Sequence, residues 1–415
     1  MRLRQRLTAR WQQVPEGVRD LPPGEAADRA AAVAAVREVF RRWGYREVAT
    51  PTLEYLETIL QGAGPGVADR LVKIVDRGGE LLALRPEMTV PIARLAATRL
   101  LRQAAPPLRL AYVAPVFRGQ EGSGLRLREF TQAGVELLGD AGVDADAEVV
   151  ALAAAALGRA GVRDAVMHLG DLGFLADALS ALPEGEQEEV RLRLYRREFA
   201  GAGEEISDAG TRAFLRALPD LQGPGALDRA GRFVRSSQGE ASLGRLQAIL
   251  DRLGAYGAAA AVDLSIIRDF SYYTGTVFEA FGAGTGYPLL GGGRYDTLLA
   301  RFGTDCPATG FALGIERVIE AGEAGEAEVL DAVILTEDTA RAEAVRLAGE
   351  LRDAGRAVVV EGPDAQVPPG ARYIVRLRGG EAAVTDPRSG RERLVTREQL
   401  IAELGGRPRV PAWTH

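Results

Sequence analysis

Phe117–Arg118–Gly119–Gln120 is followed, after eight residues, by Glu129–Phe130–Thr131–Gln132 and then Gly134–Val135–Glu136. Read at period 2, Leu125, Leu127, Thr131, Ala133, Val135 and Leu137 fall on one strand face, and Arg126, Arg128, Gln132 and Glu136 on the other. Two guanidiniums, an amide and a carboxylate on an open face suit a small, charged, polar ligand. A solvated sheet face of alternating polar residues would carry the same pattern. The Gly-rich turn at 119–124 favours the ligand, because it joins this strand to a preceding one, Leu108 to Phe117, that runs into Arg118. Two antiparallel strands with arginines at their hairpin make an anion site.

Composition narrows the chemistry. The 415 residues, 47% of them hydrophobic, can bury two or three domain cores. A single cysteine, Cys306, excludes a disulfide framework and a cysteine-type zinc site. The two histidines are His168, in the apolar strand-like run Val166–Leu169, and His415, at the chain end. A Ser-His-Asp or Cys-His device would rest on His168 alone, which reads as a structural residue. Lys73 is the sole lysine, so a P-loop lysine is excluded and any bound anion must be held by arginine. No metal or cofactor is expected.

A net charge of −6 speaks against a surface built for a nucleic-acid backbone, although a local basic patch would suffice for tRNA. The basic segment Met1–Arg10 lacks the apolar core of about 7–15 residues that a secretory signal needs. No charge-free run of about 18 apolar residues is present. These features lead us to expect a soluble, cytoplasmic protein with no membrane partner.

Helical spacing covers Glu25 to Trp43, ended by Gly44, and Thr89 to Gln103. Leu71 to Val75 and Glu80 to Leu84 read as a hairpin about Asp76–Arg77–Gly78–Gly79. An alanine-rich helix spans about Asp146 to Arg159, and residues from about 170 to 256 are helical in pattern, a solvated insertion carrying the balanced charge run Glu186–Arg197. Strand signals return at Ala261–Ile267 and Gly275–Phe281, followed by the cluster Gly291–Gly292–Gly293–Arg294, a helix to Phe302 and another from about Phe311 to Ala321. Ala321 to Glu326 reads as a linker. Beyond about residue 329 come a strand, the helix Thr339–Ala354, two strands and a hairpin, a small α/β domain. The expected domains are therefore 1–320 and 329–415.

Four clusters share one chemical character. In Leu84–Arg85–Pro86–Glu87–Met88–Thr89 a carboxylate stands at a strand-to-helix junction, where it can hold an ammonium or merely cap the helix. The arginine-bearing hairpin is the second. In Arg268–Asp269–Phe270–Ser271–Tyr272–Tyr273–Thr274–Gly275 an arginine and paired tyrosines can grip a carboxylate and line a flat pocket, or form an aromatic core strand. Gly291 to Asp296, with Gly310 to Arg317, supplies glycines for close approach, a weak signal alone. A carboxylate for an amine, arginines for a carboxylate or phosphates, and glycines between them recognise an amino acid beside a nucleotide.

This ordered set resembles the catalytic core of class II aminoacyl-tRNA synthetases of the histidyl type over about residues 14–320. Phe117–Arg118 and its loop are similar to motif 2 of that class, and Gly310 to Arg317 to motif 3. The resemblance implies an α+β fold: an antiparallel sheet flanked by helices, with a helical insertion and a small C-terminal α/β domain. It also implies that Glu87, Thr89, Gln132, Glu136, Arg268, Tyr272 and Tyr273, with Arg118, hold histidine. Arg118, Gln120, Arg126 and Arg317 would line a nucleotide site, vestigial if catalysis has been lost.

The departures point to one branch of that class. Gln120 stands where the synthetases carry glutamate, with Glu121 one residue late. Asp269 and Ser271 replace a glycine and an aspartate, and Met88 replaces a glycine. The wording Arg85-Pro-Glu-Met-Thr-x-Pro-Ile-Ala-Arg94, with Asp269-Phe-Ser-Tyr-Tyr-Thr-Gly275, resembles the synthetase paralogues that serve as regulatory subunits of ATP phosphoribosyltransferase. That resemblance implies no catalytic residues, a short-form catalytic subunit as partner and a homodimer within a hetero-oligomer. It also implies L-histidine as feedback effector of the first step of histidine biosynthesis. The C-terminal part resembles an anticodon-binding domain, but Pro363, Pro368 and Pro369 disfavour a full helix between Glu361 and Tyr373. A tRNA partner is correspondingly not expected, and an active histidyl-tRNA synthetase is the alternative.

Overall fold

The computed structural model describes residues 10–119, 127–196, 198, 206–268, 271–322, 330–368, 370–378 and 381–405. By compactness the chain divides into two units, Met1–Asp20 with Ala32–Glu323, and Leu21–Ala31 with Ala324–His415.

Helix α1 (Pro23–Arg42), which belongs to the first unit from Ala32 onward, stops where Gly44, at φ 81°, lets the Tyr45 N–H turn back to the Phe40 carbonyl. Strands β1 (Arg46–Glu47) and β2 (Leu53–Tyr55) lead to α2 (Leu56–Ala63), then β3 (Lys73–Val75) and β4 (Leu81–Leu84) form the expected hairpin. Helix α3 (Thr89–Thr98) is shorter than its pattern, the remainder tightening into a 3-10 turn at Leu100–Arg102. Strands β5 (Leu108–Phe117) and β6 (Glu129–Leu138) pair antiparallel, and α4 (Val143–Arg159) follows. After β7 (Val166–Asp171) come the inserted helices α5 (Leu172–Ala178), α6 (Glu184–Tyr195), α7 (Ala209–Ala217), α8 (Ala226–Gly231) and α9 (Ser237–Leu253). Strands β8 (Ala261–Val262), β9 (Thr276–Phe281), β10 (Leu290–Arg294) and β11 (Ala308–Gly314) and helix α10 (Ile315–Ala321) complete the unit.

Eight strands form one sheet in the order β1-β5-β6-β11-β10-β9-β7-β8, antiparallel except for parallel pairs at both ends. Two sequence expectations are corrected here. The glycine cluster is a strand hydrogen-bonded on both sides, and Phe311–Gly314 is strand, with the helix beginning only at Ile315. The inserted helices are also less solvated than expected. Only α6 is largely exposed, whereas Phe174, Phe214, Leu246 and Ile249 enter the main core.

Register sorts the sheet into two unlike faces. Ala111, Val135, Phe311, Gly292, Phe278 and Leu169 align across it and pack, with α1 and α4, into the largest apolar cluster. On the opposite face Leu110, Glu136, Gly310, Gly293 and Val277 align, and beside them Tyr112, Gly134, Ala312, Gly291, Glu279 and His168. Glycine recurs there in neighbouring strands, so this face is a trough.

The second unit holds β12 (Leu330–Leu335), α11 (Arg341–Asp353), β13 (Val358–Glu361), β14 (Ala371–Arg378), β15 (Glu381–Thr385), β16 (Glu392–Thr396) and α12 (Arg397–Gly405). Its sheet runs β13-β12-β14-β15-β16. Both helices cover one face. Among the described residues no helix joins β13 to β14; Ala365 and Val367 lie instead against Val333, Leu335 and Ile374.

Candidate functional site

The trough is roofed by the start of α3 and by Tyr272 and Tyr273, and it gathers most of the polar residues singled out in the sequence. Glu87 accepts the Thr89 and Val90 N–H groups at 2.6 and 2.8 Å, capping α3, so the bland reading of this carboxylate holds locally. Gln132 Oε1 accepts the Met88 N–H at 3.0 Å, tying strand β6 to the same helix start. Thr89 Oγ1 donates to Glu136 Oε1 at 2.7 Å, and the Tyr295 hydroxyl donates to Glu136 Oε2. Glu87, Gln132 and Glu136 are 2%, 6% and 1% exposed, so both faces of β6 are buried and neither is the solvated face that alternation alone allows.

Glycine makes room for these groups. A Cβ at Gly310 would lie 2.0 Å from Glu136 Oε2, and one at Gly134 would lie 2.4 Å from the Tyr112 hydroxyl. Tyr272 packs on Tyr273 with centroids 4.7 Å apart and edge-on to Tyr295 at 5.6 Å. Met88, at a position where the resemblance expects glycine, is buried in the cluster that contains Tyr272 and Tyr295. Ser271, the other departure within the described residues, donates to the Ala63 carbonyl at 3.1 Å and ties the tyrosine loop to α2.

The remaining arginines are placed less uniformly. Arg118 donates from Nε to the Pro86 carbonyl at 3.0 Å and exerts its charge on Glu87. Arg268 donates from Nη1 to Glu279 Oε1 at 2.5 Å, with its guanidinium carbon 5.9 Å from the Tyr273 ring. Arg317 donates to the Pro288 carbonyl and lies over Tyr287, with none of the other site residues among these contacts. Gln120 and Arg126 lie outside the described residues. Sequence reasoning missed Tyr112, Tyr295 and Glu279. Tyr295, directly after the glycine strand, was the one whose position could have given it away.

Burial is the dominant electrostatic fact. It pushes the Glu136 carboxyl up to about 8, against the opposing pull of its bonds to Tyr295 and Thr89, with Glu87 adding a like charge. Burial likewise raises Glu87, while the α3 N–H groups and Arg118 pull it back. The phenols of Tyr112, Tyr272 and Tyr295 are held far above their ordinary range by burial. The pocket is therefore acidic, holds a proton on Glu136 at neutral pH, and suits a basic ligand. A group that binds its proton more tightly folded than unfolded adds stability below its unfolded value of 4.5 and loses it as pH rises toward 8. The unfolding free energy of the ligand-free protein should thus decline between about pH 5 and pH 8 more steeply than that of Glu136→Gln. Denaturant melts at four pH values check this; parallel curves would contradict it.

A cleft of about 610 Å³ lies elsewhere, between α1, β1 and β5. Its lining includes Arg37, bonded to Glu47, Arg41, bonded to Glu38, and Arg46, and it holds none of the site residues singled out in the sequence. Among the described residues no cluster of three metal-ligating side chains occurs, and no helix is long and apolar enough to cross a membrane.

Sheet, trough and polar cluster together define a synthetase-like core of the histidyl class. Residues 17–318 match the family model described as histidyl-tRNA synthetase. A histidyl-tRNA synthetase from Nostoc sp. PCC 7120 superposes with a TM-score of 0.81 over 95% of this chain and 99% of its own, at 20% identity, a likeness of fold alone. Within that class, the ATP phosphoribosyltransferase regulatory subunit of Moorella thermoacetica is 43% identical over 84% of this chain and 92% of its own. A structure titled ATP phosphoribosyltransferase regulatory subunit/histidyl-tRNA synthetase, from Bacillus halodurans, is 35% identical with a TM-score of 0.76, covering 86% of this chain and 94% of that one. The chain belongs to the family of ATP phosphoribosyltransferase regulatory subunits.

Proposed function

We propose that this chain is the non-catalytic regulatory subunit of a short-form ATP phosphoribosyltransferase in the cytoplasm, and that free L-histidine in the trough is its effector. It works as a homodimer within a hetero-oligomer. The observation that carries the reading is the pair of buried carboxyls, Glu87 and Glu136, joined through Thr89, with Glu136 set over Gly310. Glu87 can take an ammonium, Glu136 with the tyrosines an imidazole, and Arg268 a carboxylate. Regulation is then a coupling free energy: histidine must favour one arrangement of the complex over another, typically by about 1–3 kcal/mol.

Reconstitution tests it. Mixing the chain with a short-form phosphoribosyltransferase should activate the enzyme, and added histidine should reverse the activation. No activation, or activation indifferent to histidine, would overturn the proposal. Retention of Arg118, Arg268 and Arg317 favours a second reading, an active histidyl-tRNA synthetase. Rapid histidine-dependent exchange of pyrophosphate into ATP would support that enzyme instead.

A further inference from the structure

We propose that Glu279 is a positioning residue that sets the carboxylate-binding end of this pocket by holding the Arg268 guanidinium flat across Gly291. The proposal rests on the reading that the trough binds histidine. Neither the motifs in the sequence nor the resemblance assigns a role to Glu279.

Register supplies the first argument. Gly291 and Glu279 are direct partners on the antiparallel strands β10 and β9, so Glu279 projects from the sheet face that carries Gly291. A Cβ at position 291 would lie 2.2 to 2.4 Å from Nη1, Cζ and Nη2 of Arg268. The guanidinium therefore lies against the bare strand in a place only glycine leaves open. From there Nη1 donates to Glu279 Oε1 at 2.5 Å, and the two side chains are 18% and 8% exposed.

The second argument is charge. Burying a guanidinium is tolerable only beside a counter-charge, and Glu279 provides it. The carboxylate engages one end of the fork and fixes its plane, so the remaining donors are oriented before any ligand arrives. Among the described residues Arg268 Nε is buried with no hydrogen-bond partner. A donor held in place without a protein acceptor suits an acceptor brought by a ligand, and a carboxylate at the Nε edge of the fork fits.

The connection to the rest of the pocket runs through aromatic rings. Tyr273 lies under Arg268 and packs on Tyr272, which meets Tyr295, the partner of Glu136. Carboxylate and imidazole ends of a bound histidine would thus be spaced by one packed array.

Calorimetry on the full-length chain with histidine and with histidinol, which keeps the amine and imidazole but carries an alcohol for the carboxylate, separates positioning from general damage. Glu279→Ala should weaken histidine by about tenfold or more while changing histidinol by no more than about twofold. Glu279→Gln, which preserves shape and one acceptor, should fall between, and it serves as the reporter if the alanine variant melts early. Histidine and histidinol weakening together, or neither changing, would overturn the positioning role while leaving histidine as the ligand. Wild-type protein that ignores histidine would remove the ligand reading itself, and the proposal with it.

Discussion

Replacing Glu136 with alanine is expected to lower histidine affinity by about a hundredfold or more, the penalty for deleting one partner of a buried, hydrogen-bonded charge pair. The carboxyl faces the Thr89 and Tyr295 hydroxyls over Gly310. Truncation takes away both the acidic group that would meet a basic ligand and the acceptor for two buried hydroxyls. Glutamine separates these effects. At neutral pH Glu136 already carries a proton, so Glu136→Gln reproduces its shape and neutrality in the ligand-free protein. That variant should fold like wild type at pH 7 yet bind histidine more weakly, because it cannot give its proton to the imidazole. Calorimetry at pH 7 measures both variants. Alanine affinity within about threefold of wild type would remove Glu136 from the site.

Much of this site could be read along the chain, and what could not has physical reasons. Strand β5 has the bounds read for it in the sequence, Leu108 to Phe117, and its antiparallel pairing with β6 agrees with the expectation drawn from the glycine-rich stretch between them. The polar face of β6 was recognised, but alternation cannot say what covers it. Residues far away in sequence, at the start of α3 and in the tyrosine loop, enclose that face and convert it from a solvated surface into a buried pocket.

Strand β10 was obscured because glycine lacks the side chain that marks a strand, and in isolation it weakens one. Its neighbours supply the packing: Phe278 and Phe311 flank Gly292 on the apolar face, and Arg268 uses the room at Gly291 on the other. The end of strand β11, Phe311–Gly314, was read as the start of a helix although Gly314 stands at its boundary with α10, because Phe311 and Leu313 continue into the apolar residues of that helix. Glu279 was passed over for the opposite reason. A single acid within Thr276–Phe281 looks like the outward position of an ordinary half-buried strand. Only the register opposite Gly291 reveals that it faces an arginine.

Arg294→Ala is expected to destabilise the protein by about 3–5 kcal/mol, the cost of breaking a buried ion pair by removing one partner. Arg294 closes the glycine strand and points to the helix side of the sheet. There Nε and Nη2 donate to Asp146 Oδ1 on α4 at 3.0 and 2.7 Å, and Nη1 donates to Asp296 Oδ1 at 2.9 Å. Asp146 is 2% exposed and shares its other oxygen with Arg245 of α9, whose Nε donates at 2.7 Å. One carboxylate thus clamps sheet, helix α4 and inserted helix α9 together. Replacing a simple buried pair by apolar residues is often neutral or stabilising, but here it would leave Arg245 with its carboxylate gone. The double variant Arg294→Met with Asp146→Leu should therefore remain less stable than wild type. Denaturant unfolding of the single and double variants decides it. A loss under about 1 kcal/mol in the single variant, or full recovery in the double, would mean that apolar packing alone holds β10, and with it the floor of the pocket, in place.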